Sequence, residues 1–138
     1  MTMNVISAGL VAGFGMAVAM GVGELLGLVK INLPRVDGEF FFKTRFSKPA
    51  TYLLGLLIHL GTSVCFALGY ALFRRYGIPH VPWLTAGFLW AVVLWVAFGL
   101  TVSPVTGYGW FGQKASKGTW LELLRTHCVY GRLVSWLL

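Results

Sequence analysis

Four stretches of this chain are apolar over lengths that would cross a bilayer: Val5 to Val29, Thr51 to Phe73, Trp83 to Val102 and Thr119 to Leu138. A helix rises about 1.5 Å per residue, so about 20 apolar residues cover the roughly 30 Å of hydrocarbon. Each stretch is therefore expected as a spanning helix. The fourth differs in kind, because Glu122, Arg125, His127 and Arg132 interrupt it. Its apolar remainder and its likeness to the second stretch keep it as a helix. The expected fold is all-α, an integral membrane four-helix bundle forming one transmembrane domain over residues 1–138.

The connecting stretches carry the polarity. Residues Lys30 to Ala50 are too polar to span, yet Phe40, Phe41, Phe42 and Phe46 alternate there with Lys43, Arg45 and Lys48. Rings prefer the headgroup level and cations reach lipid phosphate, so this loop is expected to lie along the membrane surface, bracketed by Pro34 and Pro49. Tyr76 to Pro82 is a short turn set by Gly77, Pro79 and Pro82, with His80 in solvent. Ser103 to Gly112 is rich in glycine and reads as a structured interfacial turn. Small residues at four-residue spacing, Gly9, Gly13, Ala17 and Gly21 in the first stretch and Gly61, Cys65 and Gly69 in the second, predict close-packing faces.

Composition agrees with lipid: 57% of residues are hydrophobic and 11% charged, and the mean hydropathy is +0.77. That balance is foreign to a soluble domain. The net charge of +7 would suit nucleic acid if it lay on one soluble face, but the cations flank the spans. Lys43, Arg45, Lys48, Lys114 and Lys117 are read as lipid-interface residues on an anionic leaflet, and no nucleic acid is implied. The first and third loops hold most of the Lys and Arg, which by the positive-inside rule places loops 30–50 and 103–118 in the cytoplasm and both termini outside. Ala17-Val18-Ala19 has the look of a signal-peptidase site, but no Lys or Arg precedes the apolar run, so a permanent helix is expected. Cys65 and Cys128 lie within predicted helices and are expected to pack as small apolar residues.

The two halves echo each other. Ser47, Lys48, Thr51, Tyr52, Leu53, Leu56 and His59 match Ser116, Lys117, Thr119, Trp120, Leu121, Leu124 and His127, and Val36, Gly38 and Phe42 match Val105, Gly107 and Phe111. This predicts a tandem duplication of a two-helix unit, with repeats 1–72 and 73–138. Parallel second and fourth helices would then hold His59 and His127 at one depth, about 12 Å below the inner surface.

Ionisable groups at membrane depth usually face inward and find each other. Glu24 and Arg125 come out equally deep, about 9 Å, and are expected to pair. Glu122 could hold Arg125 instead from one helical turn away, and Arg132 could snorkel toward the outer end. Four roles are open to the histidines. They could lock the bundle by hydrogen bonds, ligate a haem b from opposite faces, or hold a zinc or iron ion with Glu24 and Glu122. Proton-coupled transport through Glu24 or the histidines is the fourth. No serine motif or paired loop carboxylates point to a hydrolase.

The sequence Pro104-Val105-x-Gly107-x-x-Trp110-Phe111-Gly112, followed by His127-x-x-Tyr130-Gly131, resembles small four-pass bacterial membrane proteins of unassigned function. The resemblance implies a four-helix protein of the bacterial inner membrane with both histidines among its characteristic positions, and it implies no activity. With no catalytic constellation, the expected function is a non-enzymatic accessory or stabilising subunit of a larger membrane complex. Its partners would be the lipid bilayer and other membrane subunits or further copies of itself.

Overall fold

A computed structural model describes residues 3–43 and 45–138, and those residues form helices and turns without a strand. Helix α1 spans Val5–Leu25, α2 Leu33–Phe42, α3 Lys48–Leu72, α4 Trp83–Leu100, the single turn α5 Val102–Val105, and α6 Thr119–Leu137. Three segments are long and apolar enough to cross a membrane: Val5–Leu25, Lys48–Gly77 and Trp83–Val105. Helix α6, of 19 residues, carries Glu122, Arg125 and Arg132 along its length.

The ends of the helices follow local chemistry. Asn4 Oδ1 accepts from the Ser7 N–H at 2.9 Å and starts α1. Asn32 Oδ1 does the same for α2 through the Arg35 N–H at 3.4 Å. Pro34 and Pro49 do bracket the first loop, but from inside the first turns of α2 and α3. A missing N–H costs nothing there, so proline begins a helix as readily as it ends one. The first loop is consequently a helix over half its length, with Leu33, Val36 and Gly38 buried against α3 and Phe40 and Phe41 exposed. Helix α3 runs on as a π-helical turn, Phe73–Gly77. Arg74 Nη1 ties that turn down by donating to the Ile78 carbonyl at 3.3 Å and to the Val81 carbonyl.

Helix α1 is the centre. It packs on α3 along one side and on α6 along the other, α4 packs on the far side of α6, and α2 lies across α3. The long helices therefore stand in an open arc in the order α3, α1, α6, α4. Both ends of α1 are tied to α6, by the Met3 N–H to the Leu137 carbonyl at 3.0 Å and by the Lys30 N–H to Glu122 Oε2 at 2.8 Å. The ends of the arc, α3 and α4, meet where Trp90 lies against Gly69, Tyr70 and Phe73.

Close backbone approach decides which glycines matter. At Gly55 an added Cβ would strike the Pro34 carbonyl and the Gly38 backbone, and at Gly38 it would strike the Thr51 carbonyl. Gly87 of α4 and Gly131 of α6 block each other in the same way. The expected stripe on the first helix is buried at Gly9, Gly13 and Ala17, but Gly21 has open space beside it. The stripe expected on the second helix is corrected: Gly61 and Cys65 are exposed, and the buried row is Thr51, Gly55, His59, Ser63 and Ala67. Small residues recur on more than one side of α3, and the positions of α1 and α2 select among them.

Replacing Gly55 by Ala should lower stability by about 1–3 kcal/mol, the usual cost of overpacking, and expose the Lys43–Arg45 region to trypsin. Gly61→Ala meets nothing within 4 Å and should leave both unchanged. Thermal unfolding in detergent, followed by limited proteolysis of the two variants, measures the difference.

Candidate functional site

Four-residue spacing along α3 turns His59 inward, one helical turn before Ser63. On α6 the same face carries His127, one turn before Tyr130. Tyr130 Oη donates to the Ser63 carbonyl at 2.6 Å, and Tyr70 Oη donates to Ser135 Oγ at 2.8 Å. These two bonds align α3 and α6 in parallel and bring His59 and His127 to one cavity. Both imidazoles are almost wholly enclosed, 6% and 4% exposed.

They line one cavity of about 250 Å³, together with Asp37 from α2, Thr62 from α3 and Phe98 from α4. His59 Nε2 lies 3.2 Å from the Gly13 carbonyl. A carbonyl only accepts, so this nitrogen carries the hydrogen and Nδ1 presents a lone pair. That lone pair faces Asp37, whose Oδ2 is 4.0 Å away. His127 uses the opposite nitrogen: Nδ1 donates to the Leu123 carbonyl at 2.6 Å, leaving Nε2 as the acceptor. That Nε2 accepts no hydrogen bond among the described residues and is not sealed in the interior, where Trp90 Nε1 is the side-chain polar atom left without a partner. The Phe98 ring covers His127 with 5.7 Å between ring centres.

Asp37 is the site residue that the sequence reading missed. It sits four residues after Leu33, and both side chains line the cavity. That spacing is a helical signal, obscured in the sequence by the interleaved aromatic and basic residues that mark 30–50 as an interfacial segment. Burial pushes the Asp37 carboxyl up to about 6 from the ordinary 3.8.

The expected Glu24–Arg125 pair is not formed. Glu24 Oε1 pairs with Arg35 at 2.6 Å, and Glu24 Oε2 accepts from Asn32 Nδ2 at 2.8 Å. The chain turns back directly after α1, so α2 reaches Glu24 first, while α6 buries its Leu123, His127 and Tyr130 face and leaves Arg125 exposed. Equal depth does not give equal azimuth. Glu122, offered as an alternative holder of Arg125, caps the Lys30 N–H instead. Lys43, Arg45, Lys48, Lys114 and Lys117 are all exposed.

These positions bear on the cofactor readings. Glu24 and Glu122 lie outside the cavity, and among the described residues no three His, Cys, Asp or Glu side chains converge as a metal site would require. The cavity, about 250 Å³, is smaller than the roughly 300–1,000 Å³ of pockets that take drug-sized molecules; the carbonyl bonds of the two imidazoles, which leave one nitrogen free on each, do not themselves oppose ligation. These residues do not fit a haem. Compared with protein-family models, curated proteins and solved structures, the chain matches none.

The folded state holds the Asp37 proton up to about pH 6, against 3.8 for the ordinary carboxyl. Folding thus takes up a proton between these values, and the stability associated with it is present at lower pH and lost as pH rises through about 6. Asp37→Asn should raise the melting temperature at neutral pH and change it little near the acid end. Tryptophan-fluorescence melts of both proteins across that range measure it, and parallel curves would refute the burial of a protonated Asp37.

Proposed function

We propose that this chain is a four-pass integral membrane protein serving as a non-enzymatic accessory or stabilising subunit of a larger membrane assembly. The observation that carries the reading is the outer face of α6. Arg125 and Arg132 are both exposed there, seven residues and so about 10 Å apart along the helix. Neither forms an ion pair among the described residues. A cation at bilayer depth costs about 2.5–3.5 kcal/mol on insertion scales, and such residues usually face protein rather than lipid. A neighbouring helix bearing carboxylates, from another subunit or a second copy, answers that cost. Apolar side chains exposed along α1, α3 and α4, such as Phe14, Leu57 and Phe88, suit contact with lipid or apolar helices.

In this reading α6 is the fourth span, with its two arginines placed symmetrically about mid-depth. Loops 30–50 and 103–118 lie in the cytoplasm, both termini lie outside, and the setting is the bacterial inner membrane, as the resemblance to small four-pass proteins implies. The exposed cations Lys43, Arg45, Lys48, Lys114 and Lys117 then rest on anionic headgroups. A duplicated two-helix unit is supported by the parallel between the α1–α3 and α4–α6 pairs, each packed through glycine: Gly9 and Gly13 in one, Gly87 and Gly131 in the other.

Protein extracted from its native membrane in mild detergent should migrate on a native gel above the mass of one chain in its micelle. The double variant Arg125→Leu, Arg132→Leu should shift to the single-chain position while keeping its helical circular dichroism. Wild-type protein running as a lone chain, or a double variant that keeps the full assembly, would sink the subunit reading.

A further inference from the structure

The cavity between α3 and α4 has one chemical bias that a bundle-locking role does not explain. Its two imidazoles spend their N–H groups on backbone carbonyls, His59 on Gly13 and His127 on Leu123. What each turns toward the cavity is a lone pair. The Tyr130 hydroxyl is likewise spent on the Ser63 carbonyl. The polar end of the cavity therefore presents two nitrogen acceptors, with Asp37 beside one of them. The remaining wall is largely apolar, with Phe66, Leu94 and Phe98, and carries the Thr62 and Thr101 hydroxyls toward its mouth. His127 is 4% exposed as a residue, and its Nε2 accepts no hydrogen bond within the protein, so what the nitrogen meets in the cavity decides whether it is satisfied.

We propose that this cavity binds a small neutral amphiphile whose polar end carries two hydroxyl donors on a ring, of the alkylresorcinol or alkylhydroquinone type, with its short tail along the Phe66, Leu94 and Phe98 wall. The head donates one O–H to His127 Nε2 and the other to His59 Nδ1. A cationic donor suits the site less, because an ammonium loses far more hydration than a hydroxyl on entering a largely apolar chamber. A ligand that only accepts, such as a quinone or an ether, leaves both imidazole lone pairs unmet and finds few free donors, the Thr62 hydroxyl among them, so it binds less well. A cavity of about 250 Å³ takes one ring and a short chain rather than a whole lipid.

The access route follows from the open arc. Helices α3 and α4 touch around Trp90, but closer to the loop ends they face each other across the cavity through Thr62 and Phe66 on one side and Ala97 and Thr101 on the other. Thr62, Phe66, Ala97 and Thr101 are all exposed. That mouth faces the acyl chains, and this part rests on the membrane placement proposed above. The recognition chemistry does not, and it is independent of any subunit partner.

The test uses purified full-length protein in dodecyl maltoside, titrated by calorimetry with 5-pentylresorcinol and, in parallel, with 1,3-dimethoxy-5-pentylbenzene. The second has the same ring and tail and no donor. Saturable one-to-one binding of the resorcinol is expected, with the dimethyl ether at least about tenfold weaker, the order of one or two lost hydrogen bonds to a buried acceptor. His127→Phe should weaken resorcinol binding by about tenfold or more. Ala97→Trp, which sets a bulky ring at the exposed mouth on α4, should abolish binding while leaving the melting temperature and helicity in place. Equal affinity for the two probes, no saturable binding by the wild type, or binding that survives Ala97→Trp would each overturn the proposal. If His127→Phe does not fold, Ala97→Trp and the ether comparison still decide it. Oligomeric state on the native gel is read separately, so a failed subunit reading and a failed ligand site are distinguishable.

Discussion

Two tyrosine hydroxyls reach across the space between α3 and α6, Tyr130 to the Ser63 carbonyl and Tyr70 to Ser135, and the rest of the polar interior depends on them. Helices α3 and α6 are not close neighbours; α1 lies between them as the common packing partner. A tyrosine is long enough to bridge such a separation and still be satisfied at its tip, where a serine or threonine would fall short. The bridges hold the two helices in register. They also keep them apart, so a chamber persists where four closely packed helices would have closed it.

Within lipid, every buried donor and acceptor must find its partner inside the protein. Most do here. Ser63 Oγ returns to the His59 carbonyl at 2.8 Å, Thr126 Oγ1 to the Leu123 carbonyl at 2.9 Å, and Ser135 Oγ to the Trp83 carbonyl. Among the described residues the buried side-chain polar atom without a partner is Trp90 Nε1; the second nitrogens of His59 and His127 are a different case, because these residues line the chamber and their free nitrogens are open to whatever fills it. Ligand sites are commonly built that way, from a rigid and satisfied scaffold with a few open polar groups converging on one volume.

The surface shows the same division. Helices α1, α3 and α4 present large apolar side chains outward, as a lipid-facing wall should, while α6 presents Arg125 and Arg132. A helix that turns hydrogen-bonded polar groups such as Thr126, His127, Tyr130 and Ser135 inward and two arginines outward differs from a lipid-exposed span on its outer side. The difference makes sense where another protein surface covers that side. Helix α2 adds a further layer: it lies on α3 through Gly38 and Gly55 and brings Asp37 to the end of the chamber nearest the loops.

The sequence by itself determined the four long helices to within a few residues at most ends, because apolar length and local caps act within a single segment. It also singled out His59 and His127, which the fold brings to one cavity, from the match between the two halves of the chain. Rotation about each helix axis was decided only by tertiary packing. Which of several small-residue faces on α3 turned inward, whether Glu24 met Arg35 or Arg125, and whether Asp37 reached His59 all depended on where neighbouring helices came to rest. A helix pattern records distance along the axis faithfully, but the direction in which a side chain points acquires meaning only when another surface stands opposite it.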